Sequence, residues 1–183
     1  MSEKFRNKYR IPSARLKNWD YGSNASYFVT ICTHNRLHYF GEVHNKKMNL
    51  SEIGIIAKQF WYEIPGHFKF VELGAFVVMP NHIHGILMIN KNDDLMGSGF
   101  VETPNLGVST TAVRTPNLGV IINQYKRICT INARKIHADF AWQSRFHDHI
   151  IRNDESFQRI SNYIDANPAK WKDDEFKTPN ANN

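Results

Sequence analysis

The stretch "FVVMPNHIHGILMIN", residues 76 to 90, decides the reading of this chain. It sets two histidines, His82 and His84, one residue apart among apolar and β-branched side chains, just after a Pro-Asn break. Successive side chains of a strand alternate faces, so His82 and His84 point the same way, about 7 Å apart, while Ile83 points into the core. Histidine fills a core poorly, but it binds metals and carries protons well. In a strand, H-x-H lets two imidazoles converge on one divalent ion; a helix needs the i, i+4 spacing for the same result.

Working outward, "FKFVELGAFVVM" (68–79) is a strand that pairs with 82–90 as a hairpin, and "SYFVTICTH" (26–34) is another. "LSEIGIIAKQFWYEI" (50–64) carries Ile53, Ile56, Phe60 and Ile64 at helical spacing, with Ser51 as N-cap and Pro65-Gly66 as stop. "NLGVIINQYKRICTINARKIHADF" (117–140) is the longest helical pattern, with Leu118, Ile121, Ile122, Tyr125, Ile128 and Cys129 on its apolar face. "FHDHIIR" (146–152) is a short strand. "DESFQRISNYIDANP" (154–168) is a helix capped by Asp154, striped by Phe157, Ile160 and Ile164, and ended at Asn167-Pro168. The order β α β β α β α implies an α+β fold: a ferredoxin-like, RRM-like antiparallel sheet with helices packed on it.

The 183 residues suffice for one domain with a sizeable core. We read 1–183 as a single domain with a basic N-terminal segment (1–22), a flexible loop (91–116) and a polar C-terminal tail (172–183). The loop repeats "TPNLGV" at 103–108 and 115–120, too short a period for a solenoid. No apolar run reaches the roughly 18 residues of a membrane span, and the N-terminus lacks the apolar core of a secretory signal. Cys32 and Cys129 form neither a disulfide framework nor a C-x-x-C site, so a reducing cytoplasm is expected. Net charge is +6, and it is clustered. Lys4, Arg6, Lys8, Arg10, Arg15 and Lys17 crowd the N-terminus, and no acidic residue interrupts 103–138. Clustered positive charge points to a polyanionic partner such as nucleic acid.

On the histidine pair alone, two separately satisfied imidazoles are the simpler reading, and a metal site stays open beside it. A His-triad hydrolase is excluded by Ile86 at the next alternate position, and a cupin by the helices. More ordered blocks narrow the choice: "WDYGSNASYFVTICTHNRLHYFGEV" (19–43), "VVMPNHIHGI" (77–86), "LGVIINQYKR" (118–127), "FAWQSRFHDHIIRN" (140–153) and "RISNYIDANPAKW" (159–171). In this succession the chain resembles the HUH single-strand endonucleases, and within them the REP-associated tyrosine transposases.

The resemblance implies a metal-dependent transposase that cuts and rejoins single-stranded DNA at hairpins through a 5′-phosphotyrosine. It implies Tyr125 as nucleophile, His82 and His84 as metal ligands and catalytic groups, and Mg²⁺ or Mn²⁺ as the ion. Tyr163 and Tyr27 are the alternative tyrosines. Related transposases carry a polar residue one turn after the tyrosine to complete the metal site. After Tyr125 that position is Cys129, a soft thiol, which leaves Gln124, His149 or water as third ligand. Lys126, Arg127 and Arg134 are expected to bind DNA from the helix, and Arg6, Arg10, Arg15 and Tyr21 to read bases beside the hairpin. Either a monomer or a homodimer is compatible. Two rivals stay open: a hairpin-binding protein of the same fold that does not cleave, and a phosphohydrolase that uses water.

Overall fold

A computed structural model of the chain describes residues 4–5, 8–9, 16, 18–91, 116–174 and 176. Most of the basic N-terminal segment, nearly all of the 91–116 loop and the tail beyond Phe176 lie outside the described residues.

The architecture is the α+β one read from the sequence. An antiparallel sheet has the strand order β6-β7-β3-β8, formed by β3 (Ala25–Cys32), β6 (Val71–Met79), β7 (His82–Ile89) and β8 (His147–Ile151). β6 and β7 form the expected hairpin through the tight turn at Pro80-Asn81, with Met79 opposite His82. β3 lies central, pairing Cys32 with His82 and Thr30 with His84 on one side, and Thr30 with His147 on the other.

Helices cover both faces. α1 (Glu52–Tyr62) and α3 (Leu118–Ala133) pack on one face, over Tyr27, Val29, Ile31, Ile83 and Leu87. α4 (Asp154–Ala166) packs on the other, its Ile164 joining Ile86 and Ile151 in a second, smaller core. Each apolar stripe stays amphipathic because only one side of each helix meets the sheet. The caps hold them. Ser51 Oγ accepts from Gly54 N at 3.1 Å, Asn117 Oδ1 from Val120 N at 3.1 Å, and Asn153 Oδ1 from Ser156 N at 2.8 Å. Asn153 thus caps α4 in place of Asp154, which becomes its first helical residue, where a carboxylate suits the helix dipole.

Two further differences from the sequence reading have local causes. Residues 41–50 form a hairpin, β4 (Gly41–His44) and β5 (Lys47–Leu50), turned by Asn45 and Lys46 at φ 49° and 63°. That geometry favours Asn-Gly; Asn-Lys in a polar stretch carries a weaker signal. Pro65-Gly66 does not stop the helical path but sits inside a short turn of helix, α2 (Ile64–His67), where proline's missing N–H loses no bond. At the N-terminus β1 (Lys4–Phe5) pairs with β2 (Lys8–Tyr9).

Gly85 marks which way β7 faces. A Cβ there would lie 2.2 Å from Cζ2 of Trp61 on α1. Position 85 therefore points at α1, and positions 82, 84 and 86 point away from it.

Candidate active site

His82 and His84 emerge on the α4 face, with ring centroids 4.5 Å apart. Both are buried, at 0% and 1% exposure. Each Nδ1 is engaged: His82 Nδ1 lies 2.8 Å from Asn81 Oδ1, and His84 Nδ1 lies 2.8 Å from Thr30 Oγ1. Asn81 Nδ2 donates to the carbonyls of Arg36 (3.1 Å) and Phe176 (2.8 Å), so its Oδ1 is the acceptor facing His82. His82 Nδ1 then carries the hydrogen, and Nε2 holds a lone pair. That Nε2 is buried without a partner among the described residues.

Burial holds both imidazoles neutral. It pushes the pKa of His82 well below its ordinary value, with the neighbouring His84 adding to the shift, and lowers that of His84 to about 3, with His147 adding to it. Neutral rings with Nδ1 fixed and Nε2 presented are the form in which histidine binds a metal. The donor set therefore fits a divalent cation.

The tyrosine that reaches this pair is Tyr163 on α4. Its hydroxyl lies 3.4 Å from His84 Nε2, the rings 5.4 Å apart. It is 39% exposed at the wall of an open cleft of about 370 Å³, lined by Phe28, Thr30, His84, Arg145, His147 and Tyr163 among others. One turn further on, Asn167 is buried at 2% exposure, and its Oδ1 has no partner among the described residues.

Tyr125 is not in the site. Its ring lies on the α1–α3 face, edge-on to Trp61 at 5.5 Å and near Trp142 at 6.0 Å, and its hydroxyl donates to Ala57 O at 3.0 Å. It is 2% exposed. Burial, with Cys129 alongside, raises its pKa well above the ordinary phenol value. The sheet stands between Tyr125 and the histidines. Tyr125 occupied the apolar stripe of its helix, and the packing of that stripe decides its place. Cys129, buried with it and pushed up to about 12, is likewise a core residue.

The other expected site residues scatter. Arg6, Arg10 and Arg15 lie outside the described residues. Tyr21 is half-buried, stacked on Tyr27 at 5.9 Å, its hydroxyl accepting from Leu16 N. Tyr27 is fully buried and donates to Ser23 O. Arg127 and Arg134 are exposed, but α3 carries them on the sheet face opposite the histidines. Lys126 turns inward to donate to Gln143 O at 2.5 Å, and burial lowers its pKa. Gln124 is exposed on α3 beside Tyr125; His149 is exposed on β8.

The sequence reading passed over Thr30, Asn81, Asn167 and Phe176. Phe176 lies against both imidazoles, at 4.7 Å from His82 and 5.7 Å from His84, with the Arg36 guanidinium 4.4 Å from its ring centroid. A signal for Asn167 was available. The polar residue wanted one turn after the tyrosine is missing after Tyr125 but present after Tyr163.

No protein-family model matches the chain. An uncharacterized protein of Haemophilus influenzae is 37% identical over 170 residues, 90% of this chain and 91% of that protein. The REP-associated tyrosine transposase of Escherichia coli K12 is 28% identical over 99 residues, 54% of this chain and 45% of that protein, so the match spans about half of that relative. A solved REP-associated tyrosine transposase, bound to a REP hairpin, shares the fold at a TM-score of 0.58, with 18% identity, over 88% of this chain and 74% of that one. In its sequence blocks the chain is similar, over about half its length, to REP-associated tyrosine transposases, and in the sheet that presents those blocks it shares the fold of a solved one.

Proposed function

We propose that this protein cuts and rejoins single-stranded DNA beside a hairpin, with Tyr163 as nucleophile. One observation carries the reading: the Tyr163 hydroxyl meets His84 Nε2 at the edge of an open cleft, on the sheet face that holds both histidines. The hairpin bound by the solved relative supports a hairpin substrate.

In the proposed reaction the Tyr163 oxygen attacks the scissile phosphorus and gives up its proton. The P–O3′ bond breaks, and the 3′ oxygen leaves with a proton as a free hydroxyl. The 5′ phosphate stays on the tyrosine. A phenolic ester keeps enough leaving-group character for a 3′-hydroxyl to reverse the step, so rejoining requires no external energy source. His82 Nε2, His84 Nε2 and the Asn167 amide oxygen would hold Mg²⁺ or Mn²⁺, which when bound supplies charge stabilisation on the phosphate oxygens. Asn81 and Thr30 orient the rings by their bonds to Nδ1.

The test is covalent capture. Labelled single-stranded hairpins incubated with the protein and Mn²⁺ are expected to yield a protein–DNA adduct that disappears in Tyr163→Phe and persists in Tyr125→Phe. An adduct lost only in Tyr125→Phe overturns the assignment. Binding without any adduct from the wild type favours a hairpin binder, and cleavage that survives Tyr163→Phe favours water as nucleophile.

A further inference from the structure

We infer that the edge strand β8 and the residues leading into it carry the unpaired DNA strand that flanks the cleaved phosphate, with Arg145, His147 and His149 holding its backbone. The inference rests on the proposed cleavage at Tyr163, because that fixes where the reacting phosphate must sit.

Three observations point there. First, β8 is the outer strand of the sheet and pairs with β3 alone among the described residues. Second, its register fixes which side chains face the site. His147 lies opposite Thr30, which lies opposite His84, and His149 lies opposite Phe28. Directly opposed residues share a sheet face, so His147 and His149 stand on the histidine side. Asp148, the acidic residue between them, lies opposite Val29 and faces the other way. Third, the cleft containing Tyr163 and His84 continues to Gln143, Arg145, Phe146 and His147.

Arg145, His147 and His149 are all exposed. His147 and His149, alternate residues of β8, stand about 6.8 Å apart, a step comparable to that between successive phosphates of an extended single strand. Two imidazoles at that spacing, with the Arg145 guanidinium just before them in the chain, suit a backbone without reading sequence. At the mouth, Phe146 offers a half-buried ring for base stacking, and the Gln143 side chain a planar amide for a base edge. The opposite sheet edge, β6, offers no such series; its half-exposed central positions are Leu73, Gly74, Ala75, Phe76 and Val77.

The experiment compares two labelled DNA hairpins, one with unpaired flanks on both sides and one blunt, by fluorescence anisotropy with the full chain. The variant combines Arg145→Gln, His147→Gln and His149→Gln. Affinity for the flanked hairpin is expected to fall about tenfold or more and affinity for the blunt one to change less than twofold, with the salt slope on flanked DNA shallower by about 0.7 for the lost arginine contact. Unchanged flanked binding, or an equal loss on both hairpins, overturns the inference. If the triple variant fails to fold, Arg145→Gln and His149→Gln are read singly by the same ratio. Adduct formation is scored separately. A wild type that forms no adduct but shows the flank-specific loss would defeat the cleavage reading and leave the track standing, whereas an intact adduct with no flank effect would defeat only the track.

Discussion

The Tyr163 hydroxyl and His84 Nε2 meet at 3.4 Å although 79 positions separate them in the chain. The contact exists because β7 directs alternate side chains to the α4 face and because Tyr163 lies beside the Ile160–Ile164 stripe that docks α4 there. A phenol held at an imidazole nitrogen and open to a cleft differs in kind from one sealed among tryptophans.

Tyr125 therefore behaves as a core residue. Tyr125→Phe removes the bond to Ala57 O and is expected to cost about 1 kcal/mol, whereas Tyr125→Ala, which opens a cavity between Trp61 and Trp142, is expected to cost about 3–5 kcal/mol. Urea denaturation of both variants measures this, and adduct formation per folded molecule should match wild type in Tyr125→Phe.

The buried histidines tie stability to acidity. Their folded-state pKa values lie below the usual value near 6.5, so the unfolded chain binds protons first as pH falls. Stability contributed by the neutral rings is complete above pH 6.5 and is lost on acidification, for His84 down to about pH 3. By pH 5 the loss from His84 is about 2 kcal/mol, and His82 adds to it in the same direction. Urea midpoints of metal-free protein between pH 7.5 and pH 5 test this; a flat profile contradicts it, and His84→Gln should flatten the wild-type slope.

Much of this was open to inspection in the residues alone. The alternation around His82 and His84 gave their common face, and the helical stripes gave the two layers. What the residues alone did not show is that Tyr125 lies away from the histidines while Tyr163 lies beside them. Tyr125 and Tyr163 both stand in amphipathic helices, and neither pattern says which sheet face its helix covers, since that depends on the connections and on contacts such as Trp61 over Gly85. Asn81 was visible only as a turn residue. Its role follows from bonds to Arg36, Phe176 and His82 that no local pattern encodes.

The amide one turn beyond Tyr163 makes a third prediction. If Asn167 completes the proposed cation site, Asn167→Ala should weaken Mn²⁺ binding, and loss of the ring-orienting Asn81 in Asn81→Ala should do so by about 10- to 100-fold. Titration calorimetry reads both. Mn²⁺ affinity unchanged in Asn167→Ala removes it from the ligand set.

Phe176 makes a fourth. Its ring lies against both imidazoles, so Phe176→Ala should speed chemical modification of His82 and His84 by a histidine-selective acylating reagent severalfold, with the remaining histidines as internal reference. Peptide mapping by mass spectrometry measures the rates. Equal rates in both proteins would show that Phe176 does not screen the pair.

Trp61 against Gly85 sets the phase of β7. Slipping this strand by one residue would exchange its two sides, turning both imidazoles toward α1 and thrusting His84 or Ile86 into the space that the indole fills. An absent side chain on one side of the sheet thus decides that both imidazoles stand on the other.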